Sequence, residues 1–270
     1  MLEWLAGLNP IVQAGLAGVM TWFVTALGSC LEFFMREVNR KVLDFMNGFA
    51  AGVMIAASFW SLLAPSIDYA EVAGYGFWSF VPAVTGFVVR GFFLSILDKI
   101  IPHLHLDQQT VEGVPTQLSS TTLLFLAITI HNIPEGLSVG VAFGAAGMGL
   151  SSATLASALS LTLGIALQNF PEGAALAMPI RANGKSNRYA FNLGQASALV
   201  EIVAAIIGAW LVTEITVILP YALAFAAGAM IFVCVEELIP ESQSNGNEDL
   251  ATLALIIGFA LMMTLDVALG

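Results

Sequence analysis

Eight apolar runs, at about 10–34, 43–64, 77–97, 120–143, 151–179, 189–213, 216–239 and 250–269, take up most of this chain. Each is long enough to cross ~30 Å of hydrocarbon as a helix. The residues are 58% hydrophobic and only 10% charged, where a soluble domain carries about 25% charged residues. The expected fold is therefore an all-α membrane protein of eight transmembrane helices. Connections are short apart from 99–119, which contains His103 and His105, so residues 1–270 read as one transmembrane domain. The net charge of −11 argues against a nucleic-acid partner and fits a protein that attracts cations. Cys30 and Cys234 both lie in apolar runs and imply no disulfide framework. No Lys or Arg precedes Arg36, so no cleaved signal peptide is expected.

Basic residues orient the bundle. Arg36, Arg40 and Lys41 fall between spans one and two, Lys99 after span three, and Arg181, Lys185 and Arg188 between spans five and six. Alternating spans put all of these on one side, opposite Glu3, Asp68, Glu71 and Glu214. The positive-inside rule then predicts both termini outside, in a multi-pass plasma-membrane protein. Arg90 is the one basic residue left, in the inner half of span three, from where it could snorkel towards the cytoplasmic face.

The chain also repeats itself. Phe49-Ala-Ala-Gly-Val-Met-Ile55 in span two matches Phe225-Ala-Ala-Gly-Ala-Met-Ile231 in span seven, and Pro65 or Pro240 follows. The two spans run in opposite directions, so the repeat is inverted. Inverted repeats that hold substrate near the midplane at broken helices characterise transporters.

The same inversion relates two hexapeptides in spans four and five. These are His131-Asn132-Ile133-Pro134-Glu135-Gly136 and, thirty-seven residues on, Gln168-Asn169-Phe170-Pro171-Glu172-Gly173. An ionisable residue at the centre of a membrane helix costs roughly 2.5–3.5 kcal/mol or more, and this chain places one twice in the same setting. In each copy the first polar residue and the Glu are four apart, on one helical face. Pro134 frees the carbonyl of Ile130 and Pro171 that of Leu167, so each helix is expected to bend there. Glu201 adds a third carboxylate from span six, and Met54 lies mid-span in span two. Imidazole, amide oxygens and carboxylates together suit a borderline divalent cation, which would relieve the repulsion among three acids. Plainer roles stand beside this reading: His131 as a hydrogen-bonded core residue, Asn132 and Asn169 as interhelical glue, and Met54 as packing.

These hexapeptides resemble the metal-site motifs of the ZIP family of divalent metal transporters, and Gln168-Asn169-Phe170-Pro171-Glu172-Gly173 resembles its GufA-like subgroup. The likeness extends to 49–58, 219–242 and 258–270. It implies a two-metal centre near the midplane. His131, Glu135, Gln168 and Glu172 would hold the transported ion, with Met54 as a soft ligand. Asn132, Asn169, Glu172 and Glu201 would form the adjoining position, Glu172 bridging. Some relatives have Asp where this chain has Asn169, so the neutral amide should weaken that second position. The resemblance also implies an entrance at Asp68 and Asp266. On the inner side, Asp98, His103, His105, Glu236, Glu237 and Glu241 could relay metal to the cytoplasm. Spans one, four, five and six would slide, elevator-fashion, against spans two, three, seven and eight.

The expected function is movement of a divalent metal into the cytoplasm. Zn²⁺ leads, Cd²⁺ is a surrogate, and Fe²⁺ or Mn²⁺ are open because selectivity depends on geometry. The metal and the lipid bilayer are the expected partners, with a homodimer left open. No Gly-x-x-x-x-Gly-Lys-Ser/Thr loop is present for nucleotide. An intramembrane two-metal hydrolase is the alternative, although the chain has no His-Glu-x-x-His. A metal-regulated receptor would want a sizeable soluble domain.

Overall fold

Apolar runs in a bilayer must satisfy their backbone internally, and helix is what forms. The computed structural model describes residues 2–34, 39–100, 103–104, 111–112, 117–148 and 153–269. The helices are α1 (Leu2–Ala6), α2 (Pro10–Ser29), α3 (Arg40–Ala57), α4 (Ala64–Val72), α5 (Phe80–Ile100), α6 (Ser120–Ala146), α7 (Leu155–Ala182), α8 (Asn187–Ala196), α9 (Leu199–Glu214), α10 (Leu219–Val233), α11 (Ile239–Gln243) and α12 (Glu248–Leu269). Two short strands, β1 (His103–Leu104) and β2 (Val111–Glu112), pair antiparallel between α5 and α6. Helix starts are marked chemically. Asn9 caps α2 ahead of Pro10, Ser119 caps α6, and Thr154 and Ser157 cap α7 reciprocally.

Seven helical stretches among the described residues are long and apolar enough to cross a membrane. Helix α7 is not one of them, though its 28 residues would reach roughly 42 Å. Its composition is diluted by Gln168, Asn169, Glu172 and Arg181.

The inverted repeat recurs as structure. Spans two and seven are continuous helical runs, Arg40–Val72 and Thr216–Gln243. Each contains a wide, π-helical turn, Ser58–Leu63 or Cys234–Leu238. Each turn begins nine residues after the repeat's first Phe and leads into its proline. Proline cannot donate to the carbonyl four residues back, and the ladder here slips to a longer reach. Ala64 N–H meets the carbonyl of Phe59, and Ile239 N–H meets that of Cys234. Pro134 and Pro171, by contrast, lie inside uninterrupted α-helix.

Two expectations need correction. Arg90 does not snorkel: it is 3% exposed, with its guanidinium 4.5 Å from the centre of the Phe225 ring and 5.2 Å from that of Phe93. The guanidinium stacks on aromatic faces of α5 and α10 inside the protein. Span six is not one helix, because a turn at Ser197 and Ala198 separates α8 from α9.

The helices associate in two groups. In one, α6 lies along α9, α2 along α7 and α9, and α8 against α7 and α2. In the other, α3 lies along α12 and α5 along α10. The groups meet where α7 crosses α3 and α12, and where α6 crosses α10. The main core there is rich in small residues, among them Ala50, Ala51, Ala226 and Ala227, which let helix axes approach closely.

Candidate metal centre

The two hexapeptides face each other across α6 and α7. Gln168 Nε2 donates a short hydrogen bond to Glu135 Oε1, and Glu172 lies against Glu135. One helical position further along, Asn169 Nδ2 donates to both oxygens of Glu201, each at 2.9 Å. Glu201 stands in the first turn of α9, immediately after the break in span six. A helix N-terminus carries partial positive charge, so it suits a buried carboxylate.

The glycine that ends each hexapeptide explains how these helices come so close. A Cβ on Gly136 would stand 2.5 Å from the carbonyl oxygen of Glu201. A Cβ on Gly173 would collide with the carbonyl oxygen of Thr25 on α2. Bare backbone at these points brings α9 and α2 against the motif helices, and Ser29 Oγ bonds the Gly173 carbonyl at 3.1 Å.

Polar atoms on the two motif helices are under-satisfied. Five acceptor oxygens are buried without a hydrogen-bond partner: Asn132 Oδ1, Glu135 Oε2, Gln168 Oε1, Asn169 Oδ1 and Glu172 Oε2. Each such group costs about 1–3 kcal/mol when left unmade. Their convergence on two helices is a chemistry suited to a cation. Among the described residues, no three His, Cys, Asp or Glu side chains are grouped to hold a metal ion. Three of the five oxygens belong instead to amides, which such a grouping leaves out.

The sequence-predicted residues do not all gather at one place. Glu135, Gln168, Asn169, Glu172 and Glu201 come together, and Asn132 lies fully buried on the same helix as Glu135. His131 is half-buried, with Nε2 3.7 Å from Glu237 Oε1 on the π turn of span seven. Met54 is buried in the main core with Leu161, Ile165 and Met230. On the expected outer side, Asp266 is buried and accepts from Ser61 Oγ at 2.7 Å, whereas Asp68 is exposed on α4. On the inner side, Glu236 is exposed and Glu241 pairs with Arg40 at 3.5 Å. His105 and the side chains of Asp98 and His103 lie outside the described residues.

The profile of the ZIP zinc transporter family matches residues 105–266. Over 98% of the chain, the sequence is 40% identical to zinc transporter ZIP11 of Xenopus tropicalis, covering 99% of that protein. The chain belongs to the ZIP zinc transporter family. Zinc transporter ZIPB of Bordetella bronchiseptica is 38% identical over 95% of the chain and 81% of its own length. Zinc transporter GufA of Myxococcus xanthus is 35% identical over 95% and 99%. Membership makes this an integral membrane transporter rather than an enzyme, and the hydrolase alternative falls. For a ZIP protein, the polar residues that sequence reasoning missed stand out: Thr21, whose carbonyl accepts from Asn169, and Ser61, which holds Asp266.

Proposed function

We propose that this chain moves Zn²⁺ across the plasma membrane into the cytoplasm, through two adjoining metal positions near the midplane. His131, Glu135, Gln168 and Glu172 hold the transported ion, with Met54 as a soft contact. Asn132, Asn169, Glu172 and Glu201 form the second position. The observation that carries the reading is the set of unpartnered oxygens on Glu135, Gln168, Asn169 and Glu172, buried where α6 and α7 meet. An ion there would take Glu135 from its bond with Gln168, and the amide would turn its oxygen towards the metal. Glu237, beside His131, offers the ion its next carboxylate on the inner side.

In this reading all eight spans cross, with α7 the eighth, and both termini lie outside. The sorting of helices into two groups supports elevator-type movement of α2 and α6–α9 against α3, α5, α10 and α12. Cd²⁺ should substitute, since imidazole and thioether donors accommodate a softer ion. The test is initial uptake of zinc into proteoliposomes in competition with cadmium, iron and manganese, with membrane potential and pH gradient set separately. Saturable zinc uptake that cadmium inhibits is the expected result. Zinc that binds to the protein but never enters the vesicles would overturn the proposal.

A further inference from the structure

Ser61 and Glu237 are counterparts in the inverted repeat. Each lies twelve residues after the repeat's first Phe and is the fourth residue of a π turn. Such turns inside long helices frequently mark functional sites. In span seven the position holds Glu237, 3.7 Å from His131 on the expected inner side. In span two it holds Ser61, on the expected outer side, whose hydroxyl donates to Asp266 Oδ1 at 2.7 Å. One turn carries its own carboxylate, and the other borrows one from α12.

Ser61 and Asp266 are 5% and 7% exposed, and a hydroxyl has one proton to give. That proton goes to Oδ1, while Asp266 Oδ2 is buried without a hydrogen-bond partner. Helix α12 leads from this oxygen towards the motif on α7. Ser160 Oγ reaches the Leu265 carbonyl, and Met262, fully buried, lies against Gly164, where a Cβ would stand 2.7 Å from Sδ. The two helices are therefore antiparallel here, and Asp266 stands near the level of Ser160. Gln168 is eight residues further along α7, roughly 12 Å at 1.5 Å per residue. A passing ion has to be bound well enough to enter and loosely enough to leave. One open carboxylate oxygen, aimed by a hydroxyl on the other, meets both conditions.

We propose that Ser61 is a positioning residue for an outer way-point on the metal path: its hydroxyl pins Asp266 Oδ1 and so aims Oδ2 at the entering ion. This rests on the reading above, in which zinc enters from the outer side and reaches the midplane.

The experiment measures initial zinc uptake into proteoliposomes over a range of zinc concentrations. Equilibrium dialysis of the full-length protein in detergent against zinc alone, run in parallel, reports folding and the midplane site. Removing a partner that orients a metal ligand typically costs 10–100-fold in affinity or activity. Ser61→Ala should therefore raise the half-saturating zinc concentration about tenfold, with the maximal rate and the dialysis binding kept. Ser61→Thr retains the hydroxyl and should stay near wild type. Adding Ser61→Ala to Asp266→Ala should change nothing further, because the hydroxyl acts only through that carboxylate. If Ser61→Ala does not fold, Ser61→Cys, with only a weak S–H donor, is read in the same way. The assignment is overturned if half-saturation is unchanged, or if the maximal rate alone falls. It is equally overturned if a zinc-binding Ser61→Thr is as impaired as Ser61→Ala, or if the double variant is additive. A wild type without saturable uptake would instead sink the transport reading and the Ser61 assignment with it.

Discussion

Glu172 and Glu201 carry the same nominal charge in unlike surroundings. Glu172 lies beside Glu135 with one oxygen unpartnered, whereas both oxygens of Glu201 are bonded by Asn169 at the start of α9. Glu172→Ala removes a ligand from both proposed positions and should abolish uptake. Glu201→Gln keeps shape and an amide oxygen, so it should slow uptake or alter metal preference while retaining transport. Initial rates for several metals, normalised to protein in the membrane, decide this; normal uptake in Glu172→Ala would refute the midplane site. His131 gives a second readout. A ligand imidazole must be neutral, so protons compete with metal and uptake should fall as the medium is acidified. His131→Gln should lose transport or shift the acid midpoint, and retention of both would remove His131 from the site.

At the scale of helices, the motif glycines matter as much as the acids. Gly136→Ala and Gly173→Ala push a methyl into the backbone of α9 and α2 and should each destabilise by about 1–3 kcal/mol or more. Gly91→Ala on α5 meets nothing within 4 Å, and should be neutral or gain up to about 1 kcal/mol of helix propensity. Thermal unfolding in a single detergent compares them; a Gly136→Ala variant as stable as wild type would contradict the close approach. Much of this geometry was legible in the sequence. The i, i+4 spacing of His131 and Glu135, the second copy of the pattern and the inverted repeat all mark positions where membrane polarity has to be explained. Thr21 was not legible, since one Thr in an apolar span looks like any other and its partner lies 148 residues away. Nor was the turn at Ser197, which no Pro announces. Prolines mark different things in the two places: those in the hexapeptides lie within continuous α-helix, and those after the repeat accompany π turns.

For the whole molecule, the contact between helix groups is where transport by sliding can be tested. Ser160 Oγ on α7 reaches the Leu265 carbonyl on α12 at 3.5 Å, bridging the groups, while Trp22 and Gln195 join α2 to α8 within one group. In a background lacking Cys30 and Cys234, oxidation of a Ser160→Cys, Leu265→Cys pair should stop uptake, and reductant should restore it. A Trp22→Cys, Gln195→Cys pair should leave uptake running when oxidised. Undiminished flux through the first cross-linked pair would exclude relative movement at that contact. Arg90 bears on how such a molecule is made. Its aromatic seat includes Phe225, which the ribosome adds 135 residues later. Inserting an arginine at a helix centre costs roughly 2.5–3.5 kcal/mol, so during synthesis the third span has reason to linger near the lipid surface until the seventh arrives. Biogenesis is then a matter of deferred commitment. Chains truncated before α10 should leave α5 open to water-soluble labels and to membrane proteases, and completed chains should shut them out.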